Sequence, residues 1–293
     1  MAFLTVLLRT FCCNRSCQGF KLNHGFEEIL VFGRLLSLFK SKSEQEPSTP
    51  PDMRMYVIGD VHGRDDLLGQ LLADIEVDGR THPDKQKVLV FLGDYVDRGL
   101  QSKQVIDRLS GPLLPGFEGV FLKGNHELAM EQFMGDAQFG RTWKYYGGLE
   151  TLHSYGITEL TLSDDPSDFE RARLRFVEVL PPSHRHFLDC LSLSAEFGDY
   201  FFVHAGVRPG ISLAKQVEDD LLWIRDDFLE SRSTFGKVIV HGHTPKEAAV
   251  FRSNRIGIDT GAYMTGVLTC LVLDGTHRSL IQTGSQAGMR AAV

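Results

Sequence analysis

Three short apolar runs in the first half of the chain each end at a glycine followed by a polar residue. The runs are Tyr56–Ile58, Val88–Leu92 and Val120–Leu122, which lead into Gly59-Asp60, Gly93-Asp94 and Gly124-Asn125. Apolar residues at helical spacing follow each of them. Strand, polar loop and helix therefore alternate three times, which predicts βαβ units of about 30 residues with a parallel sheet. Because the carboxyl ends of such strands share one edge, the three polar loops are expected to meet there.

The second half of the chain is richer in strand patterns. Strands are predicted at Leu193–Phe197, Tyr200–Val203, Val238–Val240, Ile256–Ile258, Leu268–Leu273 and Leu280–Gln282. Gly198-Asp199, between the first two, is typical of a two-residue hairpin. Two of the strands lead directly into His204 and into His241-Gly242-His243. The whole pattern predicts an α/β fold of two facing sheets with helices outside.

Two regions depart from this pattern. Residues 40–52 contain no apolar side chain and are rich in Ser, Pro and charge, so residues 1–52 are predicted as a leader with a disordered linker. The folded domain is then expected over residues 53–285, with a tail at 286–293. Residues 135–190 are predicted as a helical insertion that caps one edge of the site.

The first 40 residues allow three interpretations. They could form an amphipathic helix that contacts a membrane surface weakly, a partner-binding arm, or a segment that is absent when translation starts later. No stretch approaches the ~20 apolar residues of a membrane span, and the N-terminus lacks the features of a secretory signal. The five cysteines form no disulfide or zinc spacing, so a cytoplasmic protein is expected.

The charge balance limits the classes of partner that the chain is expected to bind. With 31 Lys and Arg against 38 Asp and Glu, the net charge is −7, which argues against a protein that coats nucleic acid. Small anionic substrates remain compatible, because a metal site makes its own positive field. We expect a monomer.

Five motifs contain most of the candidate catalytic and metal-binding residues. They are GDVHG (Gly59–Gly63), GDYVDRG (Gly93–Gly99), GNHE (Gly124–Glu127), VHAG (Val203–Gly206) and HGHTP (His241–Pro245). Their carboxylates, amide and imidazoles suit a pair of divalent metal ions, for which we expect Mn²⁺, with Fe or Zn²⁺ as alternatives. The predicted metal ligands are Asp60, His62, Asp94, Asn125, His204 and His243. Asp94 is the expected bridge, because a carboxylate offers two oxygens.

The remaining candidates surround these ligands. His126 is predicted to protonate the leaving oxygen, with Asp97 orienting its ring. Arg98, Arg225 and Asn125 are predicted to contact the substrate phosphate.

At these motifs the chain resembles the phosphoprotein phosphatases, within the calcineurin-like metallophosphoesterases. The resemblance covers about residues 53–285 and implies a four-layer α/β/β/α sandwich with two metal ions. It also implies hydrolysis of phosphomonoesters by direct attack of a water activated by both metals. Trp223-Ile-Arg225, His243-Thr-Pro245 and Ile258–Ala262 are similar to the compact bacterial and bacteriophage serine/threonine phosphatases.

Three functions follow as hypotheses. The leading one is a metal-dependent serine/threonine protein phosphatase acting on phosphoproteins or small phosphoesters. The alternative is a dinucleoside-tetraphosphate hydrolase, a class that shares most of the motifs but tends to depart from the GDYVDRG string present here. A scaffold without activity should lack a ligand or the acid, and none is missing.

Overall fold

The computed structural model describes residues 46–160, 165–284 and 291–292. Its helices are α1 (Asp65–Arg80), α2 (Ser102–Leu109), α3 (Asn125–Gly135), α4 (Gly140–Trp143), α5 (Gly148–Ser154), α6 (Pro166–Val179), α7 (Pro182–Asp189), α8 (Glu218–Trp223), α9 (Asp226–Leu229) and α10 (Ala262–Thr265). Its strands are β1 (Met53–Ile58), β2 (Gln86–Phe91), β3 (Phe117–Phe121), β4 (Ser194–Phe197), β5 (Tyr200–Val203), β6 (Val238–His241), β7 (Val250–Phe251), β8 (Arg255–Gly257), β9 (Thr269–Asp274), β10 (His277–Gln282) and β11 (Ala291–Ala292).

The first sheet has the strand order β11-β10-β9-β1-β2-β3. Strands β1, β2 and β3 run parallel, with Ile58 opposite Phe91 and Phe91 opposite Phe121. Their carboxyl ends are therefore level, and the polar loops that follow them lie at one edge, as the sequence predicts. Strand β9 returns antiparallel to β1.

The second sheet has the order β4-β5-β6-β8-β7. Its three central strands, β5, β6 and β8, are parallel, while β4 and β7 are antiparallel to their neighbours. The predicted hairpin is confirmed, since Phe197 pairs with Tyr200 across Gly198-Asp199. The segments that follow the parallel strands carry His204, His243 and Asp259.

Successive side chains of each strand point to opposite faces of its sheet, so the buried apolar residues form three separate core layers. Met55 and Val57 of β1 belong to the same buried cluster as Phe202 of β5, between the two sheets. Tyr56, between them in sequence, faces the helices on the outer side of the first sheet. Phe201 likewise faces the helices that cover the second sheet. The order helix, sheet, sheet, helix is the four-layer α/β/β/α sandwich that was predicted.

The segment at residues 46–52 differs from the prediction of a disordered linker. The backbone N–H of Ser48 donates to Asp199 Oδ2 at 3.0 Å, and that of Thr49 donates to the carbonyl of Gly275 at 3.1 Å. Composition predicts disorder because this segment has no apolar side chains to bury. Here its backbone is instead fixed by hydrogen bonds to two hairpin turns of the domain.

Residues 1–45 and most of the predicted tail lie outside the described residues. The three interpretations of residues 1–40 concern a segment outside the described residues. In the predicted tail, Ala291–Ala292 pairs with β10 as β11. Among the described residues, no helix is both long enough and apolar enough to cross a membrane.

The segment predicted as an insertion is helical and packs on α3. The ring of Trp143 lies 4.9 Å from the ring of Phe133 and 6.3 Å from that of Phe176. All three side chains are buried and belong to the core on the outer face of the first sheet. The segment is therefore anchored beside the loops that end β2 and β3.

Candidate metal centre

The carboxylate of Asp94 lies between two groups of histidines. Its Oδ2 is 3.5 Å from His62 Nε2 and 3.8 Å from His126 Nε2. Its Oδ1 is 3.4 Å from His204 Nε2. Two clusters with the spacing of metal ligands result, one of Asp94 with His62 and His126 and one of Asp94 with His204 and His243. The two oxygens of Asp94 face different clusters, so this carboxylate is placed to be shared between them.

Asn125 and Asp60 border the second cluster. Asn125 Oδ1 is 2.9 Å from both His204 Nε2 and His243 Nδ1, and these two nitrogens are 3.1 Å apart. Asp60 accepts the backbone N–H of His243, with its two oxygens at 3.0 and 3.2 Å from the nitrogen. The structure thus brings together all six predicted ligands, four of them in the two clusters.

Backbone carbonyls orient two of the histidine rings. His62 Nδ1 is 2.9 Å from the carbonyl of Val96, and His204 Nδ1 is 2.9 Å from that of Leu92. A ring that donates through Nδ1 presents the lone pair of Nε2, which is the form that binds metals. In both residues this Nε2 is turned toward Asp94.

Backbone strain is concentrated at these loops. Five site residues have positive φ angles, namely His62 (46°), Asp94 (52°), Asp97 (72°), Arg98 (68°) and His243 (65°). A side chain in the left-handed region costs roughly 1–3 kcal/mol and persists only where its surroundings enforce it. The strain therefore marks these loops as a functional site.

Two motif glycines are explained by close approach. A Cβ on Gly124 would lie 2.1 Å from Asp94 Oδ1, and a Cβ on Gly242 would lie 2.0 Å from Asp60 Oδ1. Both distances are far below van der Waals contact. Glycine at these positions lets the two carboxylates rest against the neighbouring backbone.

His126 is held by a buried network. Its Nδ1 is 2.7 Å from Asp97 Oδ2, and that carboxylate also accepts the Trp143 indole N–H at 2.8 Å and the Thr151 hydroxyl at 2.6 Å. Trp143 and Thr151 come from the inserted helical segment, which therefore supports the site directly. Burial acts to lower the pKa of His126, but the carboxylates of Asp94 and Asp97 outweigh it and raise that pKa.

The two arginines among the predicted phosphate contacts lie near different histidines. Arg98 Nη2 is 3.3 Å from His126 Nε2, and its guanidinium carbon is 4.7 Å from the centre of the Tyr263 ring. Arg225 Nη1 is 3.4 Å from the carbonyl of His243 and donates to Thr244 Oγ1 at 3.1 Å. Both cations can therefore reach an anion placed over the two clusters.

A family model for calcineurin-like phosphoesterases matches residues 53–265, which include every site residue described above. The chain belongs to the calcineurin-like phosphoesterase family. These phosphoesterases are hydrolases that use pairs of divalent metal ions.

One relative and two solved structures are similar to this chain. The bis(5'-nucleosyl)-tetraphosphatase PrpE [asymmetrical] of Anoxybacillus flavithermus (strain DSM 21510 / WK1) is 30% identical over 233 residues, covering 73% of this chain and 88% of that protein. A crystal structure described as a candidate diadenosine tetraphosphatase has a TM-score of 0.52 at 18% identity, covering 81% of this chain and 97% of that one. A cold-active protein tyrosine phosphatase has a TM-score of 0.55 at 17% identity, covering 84% and 81%. The two structures show a common fold alone.

The residues of this phosphoesterase fit a pair of metal ions. His204 Nε2 is an acceptor because its Nδ1 faces a carbonyl, yet it lies 2.9 Å from Asn125 Oδ1, which is also an acceptor. Two acceptors at that distance repel unless a cation lies beside them. Burial, together with the carboxylates of Asp259 and Asp94, raises the pKa of Asp60. Bound cations would relieve this repulsion as well.

Glu127 is a further buried residue beside the site, and the sequence did not single it out. Its Oε2 accepts the backbone N–H groups of Asp94 and Gly124, each at 2.9 Å. Its Oε1 accepts those of Tyr95 at 2.7 Å and Val96 at 3.3 Å. Its place in the GNHE motif was a signal, but the partners on the β2 loop become visible only in the folded chain.

His241 lies outside both clusters. Its Nδ1 is 3.1 Å from the carbonyl of Gly242, and its Nε2 is 3.5 Å from Arg255 Nη1. Its ring packs edge-on to Phe228 at 5.1 Å. It therefore supports the β6 loop from within the core of the second sheet.

We expect Glu127→Gln to lower the free energy of unfolding by about 3 kcal/mol, because an amide nitrogen would face two backbone donors in a buried site. Urea denaturation followed by circular dichroism measures this. The matched control is Glu131→Gln, one turn later on α3, where the carboxylate forms a part-exposed ion pair with Lys123. That change should lower the unfolding free energy by less than about 1 kcal/mol. Equal effects of the two variants would contradict the assigned role of Glu127.

Proposed function

We propose that this phosphoesterase hydrolyses dinucleoside tetraphosphates. One observation carries the proposal, namely the 30% identity to a bis(5'-nucleosyl)-tetraphosphatase over 73% of this chain and 88% of that protein. Further bis(5'-nucleosyl)-tetraphosphatases match at 27–29% identity over a similar span. The alternative that sequence analysis held second is thus better supported than the protein phosphatase that it placed first.

The proposed assignment of the metal ligands combines the order of the loops with the geometry. Asp60 and His62, two residues apart on one loop, would hold one metal ion together with Asp94, and Asp94, Asn125, His204 and His243 would hold the other. When bound, two divalent ions lower the proton affinity of a water and neutralise phosphate charge. Manganese remains the expected metal. The monomeric state and the cytoplasmic location also remain predictions.

The other residues act on the phosphate chain itself. Arg98 and Arg225 bind phosphate oxygens and hold the reacting phosphorus over the two clusters. His126 gives its proton to the oxygen that leaves, and Asp97 holds the ring in place from the opposite nitrogen. Asn125 borders the same space and contributes a further polar contact.

A protein phosphatase remains the second candidate. The complete GDYVDRG string, with Asp97 and Arg98 both in place, is the reason for which the sequence alone placed it first. These residues handle phosphate in either reaction, so they do not choose between the two substrates.

Parallel assays test the proposal. The purified chain is treated with a chelator, resupplied with Mn²⁺, and offered diadenosine tetraphosphate or a phosphoserine peptide. We expect metal-restored release of ATP and AMP from the nucleotide, with kcat/KM well above that for the peptide. Turnover of the peptide alone would overturn the proposal and restore the phosphatase.

A further inference from the structure

Three aromatic side chains lie partly exposed beside the candidate metal centre, and the ring of one of them, Tyr263, is already in contact with the Arg98 guanidinium. The ring of Tyr146 is 6.5 Å from the ring of His126, and the ring of Trp223 is 6.3 Å from that of His243. Tyr146 is 49% exposed and Trp223 is 38% exposed. Each ring thus stands next to one of the two histidine clusters.

These rings differ from the aromatic side chains that build the core. Trp143, only three residues before Tyr146, is 2% exposed, and its indole N–H donates a hydrogen bond to Asp97. Large rings are normally buried for their apolar area. Two rings left open beside the reacting groups are therefore available to a ligand.

We propose that Tyr146 and Trp223 stack the two nucleobases of a dinucleoside polyphosphate. This inference rests on the proposed function and names the residues that select its substrate. Every nucleobase has a flat π-face, and stacking on an aromatic side chain contributes about 1–3 kcal/mol per base. Arg98 and Arg225 hold the intervening phosphates, so the rings and the cations together match the chemistry of the whole substrate.

The position of the leaving oxygen indicates which base lies on which ring. The oxygen of water bonds to one phosphorus, the opposite P–O bridge breaks, and its electron pair stays on the leaving oxygen. That oxygen takes a proton from His126, and the proton that the attacking water loses goes to solvent, from which His126 is protonated again. The products are two nucleotides that together contain the added water. Because Tyr146 adjoins His126, the base of the leaving nucleotide lies on Tyr146. The other base lies on Trp223.

Tryptophan fluorescence tests binding without turnover. Trp223 is one of two tryptophans, and the other, Trp143, is buried, so iodide quenching reports on Trp223. The methylene-bridged analogue of diadenosine tetraphosphate, added with Mn²⁺, should shield Trp223 from iodide. Inorganic tripolyphosphate, which has no base, should not shield it. Unchanged quenching at saturating analogue would overturn the proposal.

Kinetics test both rings. The ratio of kcat/KM for diadenosine tetraphosphate to kcat/KM for β-glycerophosphate should fall about tenfold in Trp223→Ala and in Tyr146→Ala, mainly through KM. Trp223→Phe and Tyr146→Phe should restore most of it. Tyr145→Ala is the matched control, because Tyr145 is 73% exposed and its ring faces Lys144 at 5.0 Å.

The outcomes separate the inference from the function on which it rests. Hydrolysis of the tetraphosphate with unchanged ratios in both alanine variants would overturn base stacking and leave the proposed function intact. If the wild-type chain does not hydrolyse the tetraphosphate, the proposed function fails. The iodide measurement then decides alone, with shielding supporting base stacking and its absence overturning it.

Discussion

Asp94→Asn is expected to remove bound metal and to lower kcat/KM by more than about 100-fold. Both oxygens of Asp94 face histidine nitrogens, and the amide would turn an N–H group toward one cluster. Residues that merely support a metal ligand typically contribute 10–100-fold to affinity or activity, so loss of a shared ligand should exceed that range. Metal content after dialysis against Mn²⁺ and turnover of diadenosine tetraphosphate measure the two effects.

A matched control is available on α6. Asp168→Asn removes a carboxylate that pairs with Arg171 at the surface, and it should change neither metal content nor turnover. Thermal unfolding of both variants separates loss of metal from loss of fold. Full metal occupancy in Asp94→Asn would contradict the bridging assignment.

His126→Asn is expected to lower kcat by roughly 10²–10⁴-fold while metal content is retained. The reason is that His126 is assigned to proton transfer. Its position would also allow it to bind a metal ion together with His62 and Asp94. The defect should be largest on β-glycerophosphate, whose alcohol leaves only with a proton, and much smaller on p-nitrophenyl phosphate, whose leaving group departs without one. Comparing the two substrates in wild-type and variant chains measures this.

Metal analysis distinguishes the two roles open to His126. If the variant loses metal as Asp94→Asn does, and is equally impaired on both substrates, His126 is a ligand. Thr151→Ser offers a mild control within the same network, because it keeps the hydroxyl that Asp97 accepts. We expect near wild-type turnover from it.

The substrate was the weak point of the sequence interpretation, for a physical reason. Asp97 and Arg98 of GDYVDRG act on the leaving oxygen and on phosphate, which both candidate reactions share. The organic part of the substrate must be read by other side chains. Trp223 stood out in sequence only through a family likeness, and Tyr146 lies in the segment that was predicted as an insertion.

The sequence alone determined the layers and the ligand loops. Successive side chains of a strand point to opposite faces, so Met55 and Tyr56 lie on opposite faces of β1. Because the apolar run is unbroken, burial of both faces follows from the pattern. Parallel strands with level ends then bring the loops after β1, β2 and β3 together. These properties depend on local periodicity, which is visible in any short window of the chain.

Only the tertiary structure decided how the loops are held. Glu127 fastens the β2 loop through three backbone N–H groups and accepts a fourth from Gly124. Trp143 and Thr151 donate to Asp97 from a separate segment. The anchoring of residues 46–52 to distant hairpin turns has the same origin. Such contacts join residues far apart in sequence and are satisfied by distance and direction, which no residue pattern carries. The motifs therefore predicted which side chains meet, and the fold determined their orientation and support.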